Sequence, residues 1–481
     1  MAELHFGTTL KPTKLELLTG WMGSQRWYTG KAEEPQLTRL TAWRLGDPAG
    51  EVGIETLVVR DDSDGSPVTY QVPLTYRGAP VEGLEHALVG TMEHGVLGTR
   101  WVYDAPHDPI YATELLRLVR GETTPESSRV ADAPENLVAG VPASSWADDL
   151  TAGPSRVLSG EQSNTSVIVE ATSDGNPRPV IVKVFRMLSA GENPDVVLQS
   201  ALRTAGCDRV PDVAGSVTAH WPETDWDGEQ TAYGHVALAQ EFLPGVQDAW
   251  RVASTAVDEG TDFTGPARLL GEATAEVHKT LADVLGTSPT THETGTAMVE
   301  EMRGRFEAAV AEIDELARFA PLVDRVLAEA SDVKWPPMQR VHGDYHLGQV
   351  IHSPDRGWIL LDFEGEPLRT LAERSLPDQW IRDVAGMLRS LDYCGGSWEQ
   401  DNPGSARPWV EATQVAFLDG YAAVAGVDPR AHGALLTAFE LDKAMYEVVY
   451  EARNRPDWVS IPLAAIDRLT AGHDDHTGGT R

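Results

Sequence analysis

QRVHGDYHLGQVIHSPDRGWILLDFEGE, residues 339–366, is the stretch on which the reading of the chain turns. It holds His342, Asp344, His346, Gln349, Asp362, Glu364 and Glu366. The apolar run WILL (358–361) predicts a short buried strand that delivers Asp362 at its C-terminal end. SPDRG (353–357) before it is turn chemistry, with Pro, Asp and Gly. The order is therefore loop, strand, turn, strand, polar end. Such a hairpin brings Asp344 and Asp362 close although 18 positions separate them.

Phosphoryl transfer asks for this set of groups. One carboxylate orients an incoming hydroxyl and accepts its proton, a second acidic group holds Mg²⁺ against nucleotide phosphates, and an amide oxygen helps hold the metal. Asp344 fits the first role, Asp362 the second and Gln349 the third. An Asp, an amide five residues on, then a strand and Asp-Phe is the order of protein-kinase-like catalytic and metal loops. HGDYHLGQ (342–349) followed by LDFEGEP (361–367) resembles the aminoglycoside-phosphotransferase-like kinases, most closely the actinobacterial maltokinase and glucosamine kinase group.

The resemblance implies an α+β, bilobal protein-kinase-like fold with an N-terminal mostly-β cap, and ATP and Mg²⁺ as cofactors. Two departures from the wider superfamily stand out: Gln349 where Asn is usual, and Glu364 in place of the glycine of Asp-Phe-Gly. Both occur in the maltokinase-like group. Glu364 is read either as a further metal ligand or as a solvated carboxylate. The i, i+4 spacing of His342 and His346 also matches a helical zinc pair. Gly343 and Gly348 argue against a helix there. His342 is expected to brace the loop by hydrogen bonds, and His346 to face the substrate.

The whole chain has 481 residues, enough for two or three domains, and its 41% hydrophobic content indicates a sizeable core. The two cysteines, Cys207 and Cys394, form no metal-type pattern and suit a reducing cytoplasm. The first 18 residues contain no apolar signal core, and no run approaches the length of a membrane span. A soluble, cytoplasmic protein is expected. The net charge of −34 disfavours nucleic acid as a partner and mildly favours a cationic small substrate. No residue pattern indicates an oligomeric state.

Three segments are expected: a cap over 1–105, a nucleotide-binding lobe over 106–245 and a mainly helical lobe over 246–481. In the cap, 37–45, 55–60 and 68–77 alternate as strands, with the turn DDSDG (61–65) between the last two. Trp21, Trp27 and Tyr28 are read as core. Residues 122–154, rich in Pro, Ser, Ala and Asp, read as a long connection. The strand RPVIVKVFR (178–186) embeds Lys183, a costly placement for a lysine unless it is paired; in a kinase-like lobe it reaches the α- and β-phosphates. Ser159, Gly160 and Ser163, on the turn two strands earlier, would cover the phosphates. Backbone groups near Gln240 to Phe242, at the end of an apolar strand, would meet adenine. The helix near 193–205 has Asp195 and Gln199 but no interior Glu, so the acidic partner of Lys183 stays open.

In the helical segment, Arg382 and Arg389 share a helix face, and Arg389 is the one preferred for the site. Glu447 and Glu451, one turn apart, would accept sugar hydroxyls, an ammonium group or Arg side chains. What the resemblance implies is an ATP- and Mg-dependent sugar kinase. The start GTTLKPTKLELLTGW (7–21) and Tyr345 place the chain nearer the glucosamine kinase branch, with phosphorylation on the 6-hydroxyl. Maltose, phosphorylated at its 1-hydroxyl, is the alternative acceptor, followed by an aminoglycoside. A zinc hydrolase and a catalytically silent nucleotide-binding protein are the readings from other classes.

Overall fold

The alternating strands of the N-terminal region need one covered face, and two antiparallel sheets provide it in a computed structural model of the chain. The structure describes residues 9–477, apart from 32, 64, 128–136, 144, 160–162, 224–230 and 368. These residues fall into two units: 1–200 with 211–244, and 201–210 with 245–481.

In the first unit, Leu37–Leu45, Gly53–Asp61 and Val68–Arg77 pair as a meander, and Gly98–Asp104 and Leu88–His94 continue the sheet beyond Val68–Arg77. Asp61 stabilises the turn by accepting from the Gln36 N–H (2.8 Å) and the Tyr28 hydroxyl (2.6 Å). The helix Lys14–Met22 starts with a capping box between Thr13 and Glu16 and packs Leu18 and Met22 against Tyr70 and Val72. Trp27 and Tyr28 are buried in the same cluster, with Trp21 partly buried beside them.

The second sheet has six strands, in the order Val138–Pro142, Val213–Pro222, Thr231–Glu241, Val180–Phe185, Asn164–Val169 and Ser155–Val157. Val138–Pro142 lies inside the stretch expected to be connection. Its short apolar sequence is masked by polar neighbours, and pairing with Val213–Pro222 overrides local composition. The two sheets are joined at the end of the Lys183 strand. Met187–Leu188 pairs with Thr69 and Tyr70. The Gln71 side-chain amide donates to the carbonyls of Phe185 and Val236, each at 2.9 Å. Arg186, fully buried, forks onto Asp104 (2.8 and 2.7 Å) and lies over the Trp27 ring.

The second unit is mainly helical. Its long helices are Thr264–Leu285, His292–Glu312, Trp380–Asp401, Arg407–Ala425, Gly433–Asn454 and Ser460–Thr477. Thr264–Leu285 and Arg407–Ala425 meet backbone to backbone. A Cβ on Gly271 would lie 2.0 Å from the Phe417 carbonyl oxygen, and one on Gly420 would lie 2.0 Å from that of Arg268. Val384, Met387, Leu388 and Leu391, on one face of Trp380–Asp401, are buried. Among the described residues, no helix is long and apolar enough to cross a membrane.

Candidate active site

Val350–Ser353 pairs with Gly357–Leu360 in the register Val350↔Leu360 and Ser353↔Gly357. Gly357, at φ +72°, closes the turn. The Leu361 N–H donates to the Gln349 carbonyl (2.9 Å), which carries the pairing to the edge of the site. Asp362 follows at φ +63°, a left-handed conformation that costs a non-glycine residue free energy and is typical of functional positions. The Gln349 amide nitrogen donates to Asp362 Oδ2 at 3.1 Å.

The loop before the hairpin is held from below. His342 Nε2 donates to the Leu361 carbonyl (2.8 Å), and its Nδ1 faces the Asp344 N–H at 3.4 Å. One imidazole therefore ties the residue before Asp362 to the backbone of Asp344. The buried carboxylate of Asp383 accepts the N–H groups of His342 (2.8 Å) and Gly343 (2.9 Å), and also His278 Nε2 (3.0 Å). Because a carboxylate only accepts, His278 carries its proton on Nε2, and its Nδ1 takes the Tyr421 hydroxyl at 2.9 Å. The loop rests directly on the helix at Gly386, where a Cβ would lie 2.5 Å from the Tyr345 carbonyl oxygen. Asp383 and His278 went unremarked in the sequence, because an acid and a histidine in amphipathic helices resemble surface residues.

Asp344 meets a partner that the sequence did not suggest. Lys443 Nζ, on Gly433–Asn454, lies 3.0 Å from its Oδ1. Burial raises the Asp344 pKa, but the Lys443 ammonium beside it outweighs that and holds the carboxyl below its ordinary range. The same ion pair overcomes burial to keep Lys443 charged. Burial lowers the His346 pKa, so its ring is neutral at neutral pH, and its Nδ1 accepts the Gly348 N–H (3.0 Å). Both nitrogens of His342 and one of His346 are thus spent on the loop, in a non-helical conformation. The zinc reading fails on that geometry.

A narrow pocket opens beside Asp344 and Lys443, lined also by Arg305, Glu366, Arg382, Phe439 and Tyr446. Arg382, not Arg389, lies on it. Arg389 sits about two turns further along the helix, 2% exposed, held between Asp392 and Glu447 at 2.5 Å each. Glu447 is therefore occupied by Arg389. Glu451 accepts Arg455 (2.8 and 2.6 Å) and the Tyr393 hydroxyl (2.5 Å). Of the readings open for this pair of glutamates, arginine partners are what the structure contains. The backbone carbonyl of Glu364 accepts from Arg374 at 3.0 Å, which fixes the turn after Asp362.

In the first unit, Lys183 Nζ lies 3.3 Å from Asp195 Oδ2. Asp195 sits in the first turn of Pro194–Thr204, its N–H capped by Asn193 Oδ1 (2.8 Å) and its Oδ1 taken by Gln199 (2.6 Å). A first-turn aspartate thus supplies the acidic partner of Lys183 that the sequence left open. Ser159 and Ser163 are exposed on either side of the turn, and Gly160 lies outside the described residues. Gln240 pairs with Ile181 in the sheet. The N–H groups of Glu241 and Phe242 are already bonded to Asp212 (2.7 Å) and Pro179 (2.9 Å), so neither is an open donor for a base.

A strand lysine paired with a helix carboxylate, and a hairpin that presents two aspartates with an amide between them, are the working parts of a phosphotransferase. Residues 156–434 match the phosphotransferase enzyme family, and the chain belongs to it. Residues 21–108 match the maltokinase N-terminal cap domain. The chain is 29% identical over 333 residues to a glucosamine kinase of Streptacidiphilus jiangxiensis, covering 64% of this chain and 72% of that protein. It is 27% identical over 348 residues to a glucosamine kinase of Mycolicibacterium smegmatis, covering 68% and 82%. Among solved structures, a glucosamine kinase in complex with glucosamine, ADP and inorganic phosphate shares the fold at 24% identity and a TM-score of 0.65. That alignment covers 95% of this chain and 99% of the other. A second crystal form of a glucosamine kinase gives a TM-score of 0.67 at 24% identity, covering 95% and 100%. The α+β, kinase-like fold with its β-rich cap is the one expected from the catalytic stretch.

Proposed function

We propose that the chain is an ATP-dependent glucosamine kinase, forming glucosamine 6-phosphate and ADP in the cytoplasm. The observation that carries this reading is the setting of Asp344. Its carboxylate is held ionised by Lys443 in a pocket that also contains the Glu366 carboxylate. Such a pocket suits a small polyhydroxylated acceptor with a protonated amine. The names of the two relatives supply the particular sugar.

In this reading the acceptor hydroxyl oxygen bonds to the γ-phosphorus as the bond from that phosphorus to the ADP oxygen breaks. The hydroxyl proton passes to Asp344. Lys183, fixed by Asp195, holds the α- and β-phosphates, with Ser159 and Ser163 on the covering turn. Asp362 and Gln349, with Glu364 on the same turn, offer an all-oxygen donor set, which fits Mg²⁺. When bound, the ion neutralises phosphate charge. The functional division proposed is a cap over 1–105, a nucleotide lobe over 106–245 and an acceptor lobe over 246–481.

The match of residues 21–108 to a maltokinase cap favours one second reading, formation of maltose 1-phosphate. An ADP-release assay over glucosamine, glucose, maltose and an aminoglycoside decides between them. Glucosamine is expected to give the highest kcat/KM. Maltose active with glucosamine inert would replace the first reading with the second.

A further inference from the structure

Asp344 needs more than a negative charge to do its work. A carboxylate turns about its own side-chain bonds, and a base aimed loosely loses most of its advantage. Here one oxygen, Oδ1, is held at 3.0 Å by an ammonium from a helix 99 residues further along the chain. The lysine is itself fixed, with its ammonium 5.2 Å from the centre of the Tyr446 ring. We propose that Lys443 is the positioning residue of the transfer step: it holds Oδ1 of Asp344 so that Oδ2 is the atom presented to the acceptor hydroxyl. This rests on the reading of Asp344 as the group that takes the hydroxyl proton.

The other groups around Asp344 do not duplicate the role. From its own loop, His342 and His346 face it, but the ring nitrogens described above serve the backbone. From the turn after the hairpin comes Glu366, which is paired with Arg369. Arg305 is forked onto Asp442 (2.8 and 2.7 Å), and Arg382 donates to Asp378 (2.8 Å). Tyr446 has its pKa raised, chiefly by burial, and stays protonated. Among the cations lining this pocket, Lys443 is the one with a described bond to Asp344.

The test uses the full chain and three variants, Lys443→Met, Lys443→Arg and Asp344→Asn, assayed for ADP release with glucosamine. The methionine matches the lysine stem in length and removes the charge. Its kcat is expected to fall by about 10- to 100-fold with the KM for ATP unchanged. The acid limb of its kcat/KM profile should move up by about 1 pH unit or more, because the base loses an adjacent opposite charge. Lys443→Arg should keep the acid limb low and recover part of the rate. If Lys443→Met shows no cooperative melt, Lys443→Gln is judged by the same two criteria. A lysine variant with wild-type kcat and acid limb, beside an inactive Asp344→Asn, overturns this inference and leaves the reading of Asp344 intact. A lower Tm with both kinetic quantities unchanged also overturns it, since that is a structural role alone. Near-normal turnover by Asp344→Asn would sink the reading of Asp344 and this inference with it.

Discussion

Replacing Asp383 by asparagine tests how the loop that carries Asp344 is held. Asp383 is 1% exposed and serves three donors: Oδ2 takes the His342 N–H and His278 Nε2–H, and Oδ1 takes the Gly343 N–H. An asparagine keeps the shape but turns one acceptor into a donor. With its carbonyl toward His342, its NH₂ group faces the Gly343 N–H. With the amide flipped, the NH₂ group faces the His342 N–H, and a tautomer change at His278 does not cure that clash. Either way one buried backbone N–H is left without an acceptor, at a cost of about 1–3 kcal/mol. The surviving bonds also lose charge assistance, worth roughly 1 kcal/mol together. The expected destabilisation is about 2–4 kcal/mol, or a fall in Tm of about 4–15 °C for a unit of this size. Because Gly343 adjoins Asp344, kcat should fall as well, by about tenfold or more, even well below the melting temperature. Thermal melting followed by circular dichroism and ADP release measured on the same sample give both numbers. An Asp383→Asn protein with wild-type Tm and wild-type kcat would refute the reasoning.

Further expected outcomes concern other groups. Burial pushes the Glu440 carboxyl up to about 7, against the opposing effect of Arg389. From its ordinary value to about 7 the folded state therefore keeps a proton that the unfolded chain has lost, and stability falls as pH rises through that window. Glu440→Gln should gain about 2 kcal/mol near pH 8 and much less near pH 5, read by urea unfolding; equal gains at both would count against it. Asp195→Asn should weaken the grip on Lys183 and cost about 10- to 100-fold in kcat/KM for ATP, the worth of one charged hydrogen bond, with the KM for the sugar little changed. Chelation of divalent cations should stop turnover, and Mg²⁺ should restore it; turnover that persists in excess chelator would exclude the proposed role of Asp362 and Gln349.

The hairpin over Val350–Leu360 was legible because side-chain identity carries it. Asp344, Gln349 and Asp362 are polar residues at fixed offsets around a strand, and turn chemistry at 353–357 sets the register. His342 was legible as a brace for the same reason. Lys443 was not, because a lysine in a helix with polar neighbours reads as surface, and only tertiary packing brings it to Asp344. Asp195 was visible yet unassigned, since pairing from the first turn of a helix depends on how that turn is capped. Arg382 and Arg389 share a face, and what separates them is axial position together with the carboxylates Asp392 and Glu447 that hold Arg389. Backbone donors near Gln240 to Phe242 leave no trace in side-chain identity, and their sheet bonds appear only in three dimensions.

The join between the two sheets bears on how this enzyme can be dissected. A fragment that begins after residue 108 would lack Gln71 and Asp104. The carbonyls of Phe185 and Val236 would lose the amide that caps them, and Arg186, three residues past Lys183, would be an interior cation with no counter-ion. Such a cost runs to several kcal/mol. Loss of activity in that fragment would report an injured second sheet rather than a missing task of the cap. Point changes in the turn between Leu88–His94 and Gly98–Asp104, at the exposed Val96 and Leu97, are the cleaner way to learn what the cap does.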